Sequence, residues 1–115
     1  MLEKEIEATL RDAVKREGGV AYKFTSPGNI GVPDRLVVYP DGVIHFIELK
    51  TNVGKLTALQ ARQIERLEIL KADVYVIRGI KELADYFKDA GRPVAHRFVE
   101  GRIKRLTARG ETFKL

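Results

Sequence analysis

Residues 31–51 read GVPDRLVVYPDGVIHFIELKT. Two apolar, β-branched runs, RLVVY (35–39) and VIHFIELK (43–50), flank Pro40-Asp41-Gly42, the composition of a tight hairpin turn. With Tyr39 paired to Val43, partners across the hairpin have numbers summing to 82, and Asp34 falls opposite Glu48. Directly opposed residues hold their β-carbons about 4.5–5.5 Å apart on one face, close enough for two carboxylates to share a cation. Lys50, two residues past Glu48, points to that face as well. Glu48 lies among Phe46, Ile47 and Leu49 in a strand that reads as buried on both faces, where an unpaired ionised acid is costly. The hairpin therefore reads as a metal clamp. The chain has no cysteine and two histidines, so the ligands are oxygens, which favours Mg²⁺ or Mn²⁺ over zinc.

Working outward, Leu2, Ile6, Leu10 and Val14, with Ala13 beside them, recur at helical spacing over residues 2–17 before Gly18-Gly19. VAYKFT (20–25) alternates as a strand, and SPGNIGVP (26–33) is a loop whose glycines allow a close backbone approach. After the hairpin, TNVGK is a loop and Thr57 caps a helix bearing Leu59, Ile64, Leu67 and Leu70 that ends near Lys71. VYVIR (74–78) is a strand, IKELADYFKDAG a helix closed by Gly91, and 93–115 fits a helix or an arm. The order α, β, β, β, α, β, α describes an α/β fold with a mixed sheet flanked by helices.

The length of 115 residues suits one domain, 1–115, with 92–115 as a basic C-terminal extension. Residues 1–91 hold 14 basic and 14 acidic side chains, whereas 92–115 hold 7 and 2, so the net charge of +5 sits in the tail. That distribution points to a polyanionic partner. No apolar run approaches a membrane span, and MLEKEIEATL is charged and amphipathic, so a cytoplasmic protein is expected. His45 and His96 lack companions for a ligand set and read as structural.

Pro33-Asp34, followed on the next strand by Glu48-Leu49-Lys50, resembles the PD-(D/E)XK nuclease motif of restriction-endonuclease-like folds. More narrowly, YKFTSPGNIGVPDRLVV with IELKTNVGKLTALQ is similar to the VRR-NUC family in its small stand-alone bacteriophage form, the likeness running from the first helix to about Ile77. The resemblance implies a metal-dependent endonuclease with Asp34, Glu48 and the Leu49 carbonyl as ligands and Lys50 as catalytic lysine. It matches Gln60 to a glutamine that family members carry, and it calls for an acid on the first helix. Glu3 and Glu7 share a helix face. Glu7 is chosen by its distance to AYKF, which resembles that of related archaeal junction-cleaving enzymes. The resemblance further implies a homodimer acting on branched DNA such as Holliday junctions, in the host cytoplasm if the protein is viral. Phosphate contacts are expected from Lys23, Arg35, Lys55, Arg62, Arg97, Arg102, Lys104, Arg105 and Arg109. Two alternatives compete: a non-catalytic DNA-binding module on the same fold, and a nuclease of restriction or exonuclease type. One departure from the family pattern is KADVYVI, which lacks a glycine ahead of its strand.

Overall fold

The Pro-Asp-Gly turn closes as its composition requires. In the computed structural model, which describes residues 1–115 with position 113 as backbone alone, Tyr39 N–H donates to the Val43 carbonyl at 2.9 Å. Gly42 takes a φ of 84°, a left-handed conformation that costs little without a β-carbon. Strands β2 (Arg35–Val38) and β3 (Ile44–Lys50) leave this turn, and β1 (Val20–Lys23) pairs antiparallel with β2. Arg35 lies opposite Ile47 and Val38 opposite Ile44, so the expected register holds. A fourth strand, β4 (Val74–Arg78), runs parallel to β3 and sets Val76 beside Glu48. The sheet order is β1-β2-β3-β4. β1 ends two residues earlier than its sequence suggests, but Phe24 N–H still donates to the Asp34 carbonyl at 2.8 Å.

Strand alternation sorts the side chains into two faces. Arg35, Val37, Tyr39, His45, Ile47 and Leu49 are buried on one face, under α1 (Glu3–Arg16), α3 (Gly79–Asp89) and α4 (Pro93–Ala108). Asp34, Glu48 and Lys50 occupy the other. Ile6, Leu10, Val14, Ile80, Leu83, Phe87, Ala95 and Val99 complete the core. Both histidines are tied into this framework, His45 Nδ1 lying 2.8 Å from the Tyr86 hydroxyl and His96 Nδ1 donating to the Ala84 carbonyl at 2.8 Å.

Two helical stripes differ from their sequence periodicity. Leu2 precedes α1 and stays exposed. In α2 (Ala58–Ile69) only Ile64 is buried, while Leu59 and Leu70 face outward. The reason is position: α2 packs against β4 alone among the elements with substantial contact, so one turn of its apolar stripe finds the sheet. The tail forms α4 and a closing 3₁₀ turn, Thr112–Lys114. α4 starts beside the hairpin turn, where Arg92 pairs with Asp41 at 3.1 Å and Ala95 N–H donates to Glu17. The chain end returns to the opposite end of the sheet, where Thr112 and Leu115 line a cleft with Asn52, Arg78 and Gly79. Among the described residues, no helix is long and apolar enough to cross a membrane.

Candidate active site

Across the sheet face away from the three-helix layer, the register sets Phe24, Asp34, Glu48 and Val76 in one row. Asp34 stands one residue before β2. Its carbonyl accepts from Phe24 N–H and from Arg35 Nη1, both at 2.8 Å, and its Oδ1 accepts from Leu49 N–H at 3.4 Å. The carboxylate is thus held against β3 by backbone on two sides. The T-shaped contact of Phe24 with Phe46 walls this face with apolar surface.

Glu48 is 3% exposed. Its Oε2 lies 3.8 Å from Lys50 Nζ and 3.4 Å from Gln60 Nε2, while its Oε1 is buried without a hydrogen-bond partner. Burial first, then the charge of Asp34, pushes its carboxyl up to about 7, against the opposing pull of Lys50. Burial likewise raises the Asp34 carboxyl, against the Leu49 N–H. Two acids that resist ionisation side by side, one with an orphan oxygen, make a donor set that a hard cation would satisfy. Among the described residues no three His, Cys, Asp or Glu side chains form a metal-binding group, so two carboxylates are the side-chain share of such a site.

Gln60 reaches Glu48 from the first turn of α2. That turn is fixed by a reciprocal capping box: Thr57 Oγ1 accepts from Gln60 N–H at 3.1 Å, and Gln60 Oε1 accepts from Thr57 N–H at 2.9 Å. The T-x-x-Q pattern at 57–60 is the sequence signature of this box, of which the Thr57 cap is one half. The 26–33 loop also serves this turn. At Gly31, with a φ of 96°, an added β-carbon would meet the Leu59 carbonyl at 2.7 Å. Gly31 thus lies against the α2 backbone, whereas at Gly28 nothing lies within 4 Å.

The first helix contributes differently from expectation. Glu7 forms an ion pair with Arg35, whose side chain lies buried on the core face of the sheet and also donates to the Asp34 carbonyl. Glu3 is the first-helix acid whose charge acts on Asp34 and Glu48, reinforcing the upward shift of both. Arg35 needs the matching correction. It is 4% exposed and committed to Glu7 and the Asp34 carbonyl, so it is an internal counter-ion with no surface to offer a phosphate. Lys23, Lys55, Arg62, Arg97, Lys104, Arg105 and Arg109 are exposed, Arg109 pairing with Glu111 at 3.1 Å. Arg102 is half-buried, its Nε enclosed and unpartnered.

This geometry has counterparts among known proteins. Over 75 residues, 65% of this chain and 81% of the relative, the sequence is 48% identical to "Putative nuclease p44" of Acyrthosiphon pisum secondary endosymbiont phage 1. A solved structure described as a VRR_NUC domain superposes with a TM-score of 0.70 at 31% identity, covering 76% of this chain and 94% of that one. No family model matches the sequence. The mixed sheet flanked by helices is the VRR_NUC fold, a PD-(D/E)XK-like nuclease fold. The chain belongs to the VRR_NUC family.

Proposed function

We propose that this protein is a Mg²⁺- or Mn²⁺-dependent, structure-selective DNA endonuclease that hydrolyses phosphodiester bonds in branched DNA such as Holliday junctions. The reading is carried by the buried, unsatisfied Glu48 carboxylate beside Asp34, with Lys50 at hand, and is supported by the nuclease relative. Asp34, Glu48 and the Leu49 carbonyl would hold the cation; in an antiparallel ladder the N–H and carbonyl of one residue face the same edge, and Leu49 N–H already faces Asp34. The bound cation supplies positive charge to the scissile phosphate and makes water a better nucleophile near neutral pH. Lys50 supplies a second, fixed cation for charge developing on the phosphoryl oxygens. Gln60 offers an N–H that orients groups at Glu48. Glu3 is the first-helix acid assigned to this centre, a reading supported by its charge reinforcing the upward shifts of Asp34 and Glu48.

Exposed Lys23, Lys55, Arg62, Arg97, Lys104, Arg105 and Arg109 provide phosphate contacts without sequence preference. A symmetric homodimer in the host cytoplasm would present two sites to the two strands of a junction. The deciding assay is cleavage of a labelled four-way junction, a flap and a linear duplex with Mg²⁺, Mn²⁺ or EDTA. We expect metal-dependent cutting of the junction, reduced at least about a hundredfold in Asp34→Ala and Lys50→Ala. Binding of all three DNAs with no cutting under either metal would instead assign the chain to a non-catalytic DNA-binding role.

A further inference from the structure

We infer that Thr57 is a positioning residue that fixes which end of the Gln60 amide faces Glu48, an inference that rests on the proposed nuclease centre. A glutamine amide presents an acceptor at Oε1 and donors at Nε2. At Gln60 the acceptor end is occupied by Thr57 N–H at 2.9 Å, which leaves Nε2 to face Glu48 Oε2 at 3.4 Å. The flipped amide would lose the Thr57 bond and set one acceptor oxygen against another. The Thr57 hydroxyl supplies the other half of the latch by accepting from Gln60 N–H at 3.1 Å, holding the turn in which the amide is aligned.

Capping boxes ordinarily serve helix stability. This one has a third partner, because the side chain that closes the box also touches a buried carboxylate of the site. α2 has little else to steady it: Ile64 is its one buried residue, and at its first turn Gly31 lies against the Leu59 and Gln60 backbone. The orientation of Gln60 is therefore set by local bonds at positions 57–60 more than by the packing of the rest of the helix.

The test is a double-mutant cycle of junction cleavage on Thr57→Val and Gln60→Ala, with Thr57→Ser as the conservative variant. Thr57→Val is expected to lower kcat about tenfold with KM little changed, Thr57→Ser to retain activity, and Thr57→Val to cost nothing further once Gln60 is alanine. An equal kcat loss in both backgrounds, or none, would overturn the assignment, because a cap that only stabilises the helix does not act through Gln60. A second readout needs no catalysis. In metal-free protein the Gln60 side-chain NH₂ resonances should report an ordered amide in wild type and Thr57→Ser and an averaged one in Thr57→Val. An amide equally ordered in all three overturns the inference even if no DNA is cut, which separates its failure from that of the nuclease reading.

Discussion

Glu48 is buried by its neighbours in β3 and left with one unpartnered oxygen, so its ionised form opposes folding when no cation is present. Its folded-state carboxyl is raised to about 7 from a normal 4.5. The folded state therefore binds the proton more tightly than the unfolded chain, so the contribution of protonated Glu48 to stability is full below about pH 4.5 and is lost as pH rises through about 7. In metal-free protein, Glu48→Gln should remove that loss. Urea unfolding should find the variant about 2–4 kcal/mol more stable at pH 8 and show no such gain at pH 4. An unchanged difference at the two pH values would mean that Glu48 is not strained by its charge. The partnership of Asp34 and Glu48 was legible in the sequence because hairpin register follows from the turn. The fate of Arg35 and the contrast between Glu3 and Glu7 were not, since both depend on how α1 crosses the sheet, which no local pattern encodes.

The elements show the same division. The β2–β3 hairpin was readable to the residue because turn chemistry and strand alternation agree. α2 was readable at its start, through Thr57, but its buried side was not, because helical periodicity cannot tell a stripe that meets the sheet from one that passes its edge. The missing glycine after this helix has a visible consequence. Lys71 takes a φ of 68°, the left-handed position at a helix end that glycine fills most cheaply. Its N–H donates to the Glu68 carbonyl at 3.0 Å, and Ala72 N–H donates to Leu67 at 3.0 Å, so the terminating motif forms despite the side chain. Lys71→Gly should stabilise the protein by about 1 kcal/mol, read as a raised urea midpoint with unchanged slope. A loss of stability would show that the Lys71 side chain contributes more than its backbone conformation costs.

At the scale of the molecule, the tail that carries the excess charge is also structural. Ala95, Val99 and Leu106 are buried, while Arg97, Lys104, Arg105 and Arg109 remain exposed. The charge excess was legible, but the apolar side of α4 was obscured by one glycine and two arginines interspersed among its core positions, Gly101, Arg102 and Arg105. The tail as a whole runs from the Arg92–Asp41 pair at the hairpin turn to the cleft beside Asn52 and Gly79, which Thr112 and Leu115 reach beyond the end of α4. Since the proposed cation site joins the start of β2 to the end of β3, occupancy couples to unfolding of the whole fold by mass action. Thermal unfolding of wild type and Asp34→Asn, each in EDTA and in excess Mn²⁺, tests that claim most directly. The account predicts that Mn²⁺ raises the wild-type Tm by at least about 5 °C and leaves the Asp34→Asn midpoint within about 1 °C. Equal shifts in the two proteins, or none in either, would contradict it.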